Sequence, residues 1–248
     1  RNLQIMAKGK CIFLYDYSGI SAQPWLEAGY ECYLFDGQHP EGVTREGNLV
    51  KVGMWFYPDK VEEHANHIRE LVGDGVILVG SYPECTHLAV SGAAHFAKKR
   101  AINPAFQIEA ASLALLAEKV GNLYGCAWYA ENPVSVLATL WRKPDFIFQP
   151  WEFGGYLPVD DAHPTYPEYI APRDAYPKKT CIWCGNGFRK PEVMAVQPEP
   201  GYSRQHQRLG GRSLKTKNIR SATPRGWAKA VYETFKIEIP SNVSEGET

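Results

Sequence analysis

The sequence predicts an α/β fold in which helices cover both faces of a mostly parallel, twisted sheet. Residues 11–15 form an apolar run that ends in D-Y-S-G, and a short helical stretch leads to a second apolar run that ends in an acid, Asp36. This succession of strand, glycine-containing turn, helix, strand and acid is typical of the first half of a doubly wound, nucleotide-binding sheet. Residues 75–80 are continuously apolar, as expected of a central strand buried on both sides.

The other elements follow from periodicity and from the positions of Pro and Gly. We predict strands at residues 30–35, 48–52, 124–130 and 180–184, and helices at residues 22–28, 64–72, 106–120 and 227–235. Pro224 suits the first turn of the last of these helices. Residues 150–177 are rich in Pro, Gly, Tyr and Asp, which predicts an irregular loop.

The composition is that of a globular protein. The 248 residues suit one α/β domain with a small appendage, and a hydrophobic fraction of 44% is enough for a buried core. No run approaches the roughly 18–20 apolar residues of a membrane span, and the first residues lack the apolar segment of a secretory signal. The six cysteines are scattered, unlike those of a disulfide scaffold. We therefore expect reduced thiols, a cytoplasmic location and no membrane partner.

Basic residues are concentrated in one segment, although the formal net charge is zero. Residues 202–229 contain no Asp or Glu and eight basic residues: Arg204, Arg208, Arg212, Lys215, Lys217, Arg220, Arg225 and Lys229. Such a segment either binds phosphates or forms a solvated loop that acids elsewhere balance. The sequence leaves both interpretations open.

Four of the predicted strands end in residues that are capable of binding or catalysis. These residues are 16–19, Asp36, 83–86 and 131–133. In an open parallel sheet, ligands bind beyond the carboxyl ends of the strands. We therefore expect the four groups to meet at one edge of the sheet.

The first two groups predict a nucleoside site. Ser18 and Gly19 let the backbone approach a ligand closely, and Asp36 is placed to accept hydrogen bonds from ribose hydroxyls. The chain has no G-x-G-x-x-G run, which disfavours a dinucleotide, and no G-x-x-x-x-G-K-[ST] run, which excludes a P-loop. A nucleoside without pyrophosphate, such as S-adenosylmethionine, fits better. The alternative for Asp36 is an ordinary turn residue at a strand end.

The other two groups predict covalent chemistry. A thiolate at Cys85, just beyond a buried strand, can attack an electron-poor carbon, and a carboxyl group at Glu131 can protonate the ring that is attacked. Taken singly, an inert buried cysteine and a turn acid are the alternatives. Cys181 and Cys184 lack a second Cys or His pair at metal-ligand spacing, so we expect no metal site.

In this order, these residues resemble the motifs of the cytosine-C5 DNA methyltransferases, most closely those of the short enzymes carried by bacteriophages. The matching segments are residues 12–19 and 35–36 for two cofactor motifs, 82–86 for the Pro-Cys motif, 131–133 for the Glu-Asn-Val motif, 176–183 for the basic strand and 220–228 for the last motif. The phrases T-H-L-A-V-S-G at residues 86–92 and K-K-T-C at residues 178–181 make the resemblance fairly specific. It covers roughly residues 11–236.

The resemblance implies a Rossmann-like fold that binds S-adenosyl-L-methionine and methylates carbon 5 of cytosine in DNA, in the cytoplasm of a bacterial host. It implies two catalytic residues: Cys85, which would form a covalent adduct at carbon 6, and Glu131. The implied cofactor-binding residues are Asp16, Tyr17, Ser18, Gly19, Ile20, Asp36, Trp55, Ser221 and Thr223. The implied substrate-binding residues are Pro83, Thr86, Asn132, Lys178 and Lys179.

The family carries a target-recognition domain between the basic strand and the last motif, and here that gap is short. We expect a catalytic domain at residues 1–187, a small basic insert at 188–218, a helix at 219–239 that completes the catalytic domain and a flexible tail at 240–248. An insert of about 30 residues is too small for a core of its own, and reading base pairs directly requires an element in the major groove. We therefore expect low sequence specificity, single-stranded or distorted DNA, or help from a second subunit in a homo-oligomer.

Four departures from the family pattern bear on activity. Glu84 adjoins the candidate nucleophile, where an acid would raise the cysteine pKa. Residues 53–56 lack the adenine-binding Asp, which leaves adenine to be held by stacking on Trp55 or by a nearby group. Lysines replace the arginines of the basic strand, and Ser221 replaces an Asn. These departures leave open an altered cofactor or a lost activity. Two alternatives therefore stand beside DNA methylation: an enzyme that methylates free dCMP, and a non-catalytic relative that binds DNA or protein.

Overall fold

The structure, a computed structural model, describes residues 8–85, residue 88 and residues 90–237. Its strands are β1 (Lys10–Leu14), β2 (Glu31–Phe35), β3 (Gly42–Glu46), β4 (Leu49–Gly53), β5 (Val76–Ser81), β6 (Ala127–Pro133), β7 (Phe146–Phe148) and β8 (Thr180–Gly185). Its α-helices are α1 (Gln23–Glu27), α2 (Val61–Val72), α3 (Phe96–Ile102), α4 (Phe106–Ala114), α5 (Leu116–Tyr124), α6 (Leu137–Leu140), α7 (Arg204–Arg208), α8 (Leu214–Ser221) and α9 (Arg225–Phe235). Short 3₁₀ helices occupy Pro58–Lys60, Val90–His95, Pro150–Tyr156 and Pro172–Asp174. The expected tail at residues 240–248 lies outside the described residues.

The strands form one sheet in the order β3-β4-β2-β1-β5-β6-β8-β7. Five adjacent strands, β4, β2, β1, β5 and β6, are parallel, whereas β3 pairs antiparallel with β4, and β8 pairs antiparallel with both of its neighbours. Strands β2 and β5 lie on opposite sides of β1, so the sheet has a topological switch point between β1 and β5, where open sheets of this type bind ligands. The expectation of an α/β fold with a mostly parallel sheet is thus confirmed.

Alternate side chains of the central strands build two hydrophobic cores. On β1, Ile12 and Leu14 belong to the core that packs against α2, α4 and α5, while Cys11 and Phe13 belong to the core that packs against α1 and α9. Helices therefore cover both faces of the sheet, as expected. Within the described part of the chain, no helix is long and apolar enough to cross a bilayer.

Most predicted boundaries lie within three residues of the observed ones, and two differences change the description of the elements near the site. The helix expected at residues 106–120 is two helices, because the chain turns at Leu115 between α4 and α5. Gly125 ends α5 in the left-handed conformation, with φ of +61°. Strand β6 therefore begins at Ala127 instead of residue 124, and Glu131 lies within the strand, opposite Ile182 of β8, rather than in a loop beyond it.

Short or polar elements were not predicted. The edge strand β3 is exposed along its whole length, so it has no apolar alternation that would indicate a strand. Helices α7 and α8 are polar and begin at Ser203 and Ser213, whose hydroxyls accept hydrogen bonds from the backbone of the helix that follows. Elements α3, α6 and β7 have at most seven residues each. The segment at residues 150–177 contains only short 3₁₀ helices, in agreement with the predicted irregular loop.

Trp227 fixes α9 against the sheet. Its side chain is fully buried, and its ring stacks on Phe148 of β7 with the two centroids 4.3 Å apart. Gly226 beside it has no room for a side chain, because an added Cβ would lie 2.4 Å from the carbonyl oxygen of Phe153. Close packing of α9 against the sheet therefore depends on the large side chain of Trp227 and on the lack of a side chain at Gly226.

We expect Trp227→Ala to lower the free energy of unfolding by about 3–5 kcal/mol, because it leaves a cavity between α9 and the sheet. Urea titration followed by circular dichroism measures this change. Tyr202→Ala is the control: it removes a ring that is 72% exposed and should change stability by less than about 0.5 kcal/mol. Equal stability of Trp227→Ala and the wild type would contradict this packing.

Candidate active site

A cavity of about 430 Å³ opens at the carboxyl ends of β1 and β2, a volume typical of small-molecule sites. Residues after β1 and β2 line it on one side, and residues 163–166 together with the link from α8 to α9 line it on the other. The lining includes seven residues that were predicted to bind the cofactor: Asp16, Tyr17, Ser18, Ile20, Asp36, Ser221 and Thr223. Two other predicted cofactor residues, Gly19 and Trp55, are not part of the lining.

Asp16 follows β1 and presents an unpaired oxygen. The side chain is 4% exposed, and its Oδ1 accepts hydrogen bonds from Gly19 N (2.9 Å) and Ser18 Oγ (3.4 Å). Oδ2 is buried and has no partner among the described residues. Burial, together with the nearby Asp36 carboxylate, raises the pKa of Asp16 to about 6. A buried acceptor without a donor is costly, so this oxygen is suited to a ligand.

Asp36 follows β2 and lines the same cavity. Burial raises its pKa, and Gln38 N donates a hydrogen bond to its Oδ1 (2.7 Å). The indole of Trp55 lies against Gly37, where an added Cβ would come within 2.2 Å of the ring. Trp55 is 63% exposed, so its ring remains accessible for stacking beside Asp36.

The opposite wall comes from later parts of the chain. Thr223 is buried and Ser221 is exposed, and both lie where α8 leads into α9. Beside them, the Arg225 guanidinium donates two hydrogen bonds to the Asp161 carboxylate (2.8 and 2.6 Å). This pair ties the first turn of α9 to the irregular segment that contains residues 163–166.

The loop that carries Cys85 follows β5 and is held by Asn132 of β6. The side-chain Nδ2 of Asn132 donates a hydrogen bond to Pro83 O (3.1 Å). Asn132 is 1% exposed and Pro83 is buried, so this bond is shielded from water. Cys85 itself is half-buried. Thr86, which was also predicted to contact the substrate, lies outside the described residues.

The direction of β8 determines where the basic residues before it lie. Because β8 is antiparallel to β6, its first residue, Thr180, lies opposite Pro133 at the carboxyl end of β6. Lys178 therefore reaches this edge of the sheet, where its Nζ donates a hydrogen bond to Arg220 O (2.5 Å). Lys179 is exposed, and its charge acts on the Cys181 thiol.

Cys85, Glu131 and Lys178 interact electrostatically. Burial raises the pKa of the Cys85 thiol, the Lys178 ammonium lowers it, and the carboxylates of Glu131 and Glu84 raise it. Burial also raises the pKa of Glu131, and Lys178 again opposes the increase. The charges of the predicted acid and of one cation thus act on the predicted nucleophile, and we call Cys85, Glu131 and Lys178 the thiol cluster.

Tyr82 lines the cavity, and the charge of Glu131 acts on it. Its hydroxyl shares hydrogen bonds with Ser21 Oγ (2.6 Å) and Tyr129 OH (2.5 Å). Burial raises its pKa, and the carboxylates of Asp16 and Glu131 both add to the increase. The cavity and the thiol cluster are therefore neighbours, each close to this one side chain.

The basic segment at residues 202–229 divides into two groups. Three of its cations pair with carboxylates: Arg204 with Glu199, Arg225 with Asp161, and Lys229 with Glu233. The other five are exposed and form no ion pair with a described residue: Arg208, Arg212, Lys215, Lys217 and Arg220. Arg212 Nη2 lies 3.0 Å from His95 Nε2, in the 3₁₀ helix that leads into α3. Part of the segment is thus balanced by acids, and part presents a positive surface.

Several residues that line the cavity were not predicted to bind the cofactor: Gln38, His39, Lys51, Tyr82, His163 and Arg225. Position relative to a strand end was a usable signal for three of them, because Gln38 and His39 follow β2 and Tyr82 follows β5. His39 Nε2 lies 2.9 Å from Asp16 O and so joins the two strand ends. His163 had no such signal, because it lies in an irregular segment without periodicity.

Comparison of the chain with models of protein families and with curated protein sequences finds no match.

Proposed function

We propose that the protein transfers a methyl group from S-adenosylmethionine to carbon 5 of cytosine in DNA, as the resemblance of its motifs implies. One observation carries the proposal: the loop of Cys85, Glu131 of β6 and Lys178 before β8 lie at the carboxyl edge of the sheet, where the cavity of nucleoside size also opens, and their charges act on one another. A cysteine alone would not indicate a site. A nucleophile, a proton donor and a cation together suit addition to an electron-poor heterocycle.

The sheet is compatible with a Rossmann-like methyltransferase fold. The order β4-β2-β1-β5-β6 corresponds to strands 3-2-1-4-5 of the usual doubly wound sheet. A dinucleotide-binding sheet would continue with a sixth parallel strand, but the antiparallel β8 takes that position. Together with the absence of a glycine-rich dinucleotide motif, this favours a single nucleoside as ligand.

The chemistry of the cavity fits S-adenosylmethionine. Asp16 Oδ2 is a buried acceptor that suits an ammonium or hydroxyl donor, and Asp36 at the end of β2 suits the ribose hydroxyls. Trp55 lies beside Asp36, where its exposed ring would stack on adenine. When bound, the cofactor would supply the electrophilic methyl group.

The residues of the thiol cluster would activate the cytosine. Cys85 loses its proton, with the Lys178 ammonium stabilising the thiolate, and the sulfur forms a bond to carbon 6. Glu131 retains its proton to a higher pH than a free glutamic acid, because burial raises its pKa, and it donates to N3. Carbon 5 thereby gains the electron pair that accepts the methyl group. Transfer of the methyl group would release S-adenosylhomocysteine. A base then removes the proton on carbon 5, the double bond between carbons 5 and 6 re-forms, the sulfur leaves as thiolate, and N3 returns its proton to Glu131.

The positive surface favours DNA over free dCMP as substrate. A nucleoside monophosphate offers one phosphate, whereas five exposed cations that have no carboxylate partner among the described residues suit the successive phosphates of a polymer. The insert at residues 188–218 holds α7 and part of α8, which are five and eight residues long. Such short helices are too small for a separate recognition domain, so we propose low sequence specificity.

Cys85→Ala should abolish methyl transfer, because the atom that adds to carbon 6 is missing, while the affinity for S-adenosylhomocysteine stays within a few-fold. Glu131→Gln should lower kcat about 10²- to 10⁴-fold, because an amide cannot donate the proton. Transfer of radiolabelled methyl groups to DNA measures turnover, and calorimetric titration controls for an intact cofactor site. Undiminished turnover by Cys85→Ala would disprove the proposed nucleophile.

The pH dependence of kcat/KM should follow the charges around Cys85. Lys178→Met removes the cation that lowers the Cys85 pKa, so the pKa rises, less thiolate is present at neutral pH, and the rising limb moves to higher pH. Glu84→Gln removes a charge that raises this pKa, so the limb moves to lower pH. Lys179→Met is the control and should leave the limb in place, because Lys179 acts on Cys181. Identical limbs for all three variants would contradict this assignment.

Lys215→Gln/Lys217→Gln should weaken binding to single-stranded DNA and reduce the slope of log K against log salt by about 1.4, or about 0.7 for each lost phosphate contact. Fluorescence anisotropy at several salt concentrations measures the slope. The matched control is Lys229→Gln/Lys236→Gln, since both lysines already pair with Glu233, and its slope should be unchanged. An unchanged slope in the first variant, with efficient methylation of dCMP, would favour the free-nucleotide alternative.

A further inference from the structure

His163 places a hydrogen-bond donor in the cavity wall without a partner. Its side chain is 4% exposed and lines the cavity. Nδ1 accepts hydrogen bonds from the backbone N–H groups of Thr165 (3.2 Å) and Tyr166 (2.9 Å), so the proton of the neutral ring is on Nε2. Nε2 is buried and has no acceptor among the residues that the structure describes. This donor is therefore available to a ligand.

The position of His163 is fixed by contacts on either side of it in the chain. Two residues earlier, Asp161 forms the bidentate pair with Arg225. Seven residues later, Ile170 is buried in a small core with Ile219 of α8. Contacts on both sides of His163 thus tie its segment to α8 and to the start of α9, which also contribute to the cavity lining.

Buried polar atoms of both kinds, two donors and one acceptor, belong to residues that line the cavity. Arg225 Nε, like His163 Nε2, is a buried donor without a partner in the described chain, and both residues line one wall. Asp16 Oδ2, on the strand-end side, is a buried acceptor without a partner. A ligand that carries a carboxylate and an ammonium group on one carbon would supply the missing acceptor and the missing donor together.

We propose that His163 binds the carboxylate of the amino-acid end of the cofactor through a hydrogen bond donated from Nε2, and that the cavity thereby selects nucleosides that carry an amino acid. The inference rests on the proposed function, because it takes S-adenosylmethionine as the ligand. Arg225 Nε is a second donor for the same carboxylate, and Asp16 Oδ2 receives the ammonium group. His163 belongs to none of the segments that resemble methyltransferase motifs.

Burial and the Arg225 charge support this role of His163 by keeping the ring neutral. They lower the pKa of His163 to about 4, so near pH 7 the ring carries one N–H, on the nitrogen that faces no protein acceptor. The contact is thus a hydrogen bond from a neutral donor, which selects for the position of the carboxylate without adding a charge to the wall.

The test compares two ligands that differ in the amino-acid group. S-adenosylhomocysteine carries it, and 5′-methylthioadenosine has the same nucleoside without it. His163→Asn keeps an acceptor for the two backbone N–H groups and removes the donor at Nε2, so it should weaken S-adenosylhomocysteine about tenfold in calorimetric titrations and leave methylthioadenosine within about twofold. His163→Gln, whose amide reaches the Nε2 position, should retain most of the affinity. Thermal melting of each variant without ligand checks the fold.

Two results would overturn the inference while leaving the proposed function intact. Undiminished binding of S-adenosylhomocysteine by His163→Asn would show that His163 makes no contact with it. Equal weakening of both ligands would assign His163 to the nucleoside or to the fold. If the wild-type protein bound no S-adenosylhomocysteine at millimolar concentration, the proposed cofactor itself would be wrong, and the inference would fail with it.

Discussion

The antiparallel pairing of β6 and β8 is the constraint on which the candidate site depends. A parallel strand beside β6 would begin at the opposite edge of the sheet and carry Lys178 away from Glu131. The reversed strand begins at the carboxyl end of β6, with Thr180 opposite Pro133, and this brings the lysine to the carboxylate and the thiol. The long segment that precedes β8 also supplies residues 163–166 to the cavity wall. The reversed direction of β8 thus positions Lys178 of the thiol cluster, and the segment that precedes β8 contributes to the wall of the cavity.

Burial raises the pKa of both reacting groups, whereas the positive charge of Lys178 lowers it. Desolvation raises the pKa of the Cys85 thiol and of the Glu131 carboxyl, because it disfavours the charged form of each. For Glu131 this favours the protonated acid that the chemistry requires, whereas for Cys85 it opposes the thiolate. Protonation of Glu131 removes one of the charges that raise the Cys85 pKa, so the two requirements support each other. The Lys178 ammonium lowers the pKa of Cys85 and so opposes the effect of burial, whereas the Glu84 carboxylate raises this pKa.

The sequence predicted the strand ends better than the rest of the site. Apolar runs fix where β1 and β2 end, and parallel strands place those ends at one edge, so residues after both strands line the cavity. The start of β6 was placed too early, because Tyr124 to Cys126 read as strand residues and only the left-handed Gly125 shows that a helix ends there. His163 could not be predicted, because its place depends on an ion pair between residues that are 64 positions apart in the chain. Long-range contacts of irregular segments leave no periodic signal.

The covalent role of Cys85 is tested most directly with DNA that contains 5-fluorocytosine. Fluorine at carbon 5 cannot leave as a proton does, so the bond between sulfur and carbon 6 should persist once the methyl group has been transferred. The account predicts a denaturant-stable protein–DNA adduct that forms only with S-adenosylmethionine present, and peptide mass spectrometry should locate the modified base on Cys85. No adduct, or an adduct on another residue, would contradict it.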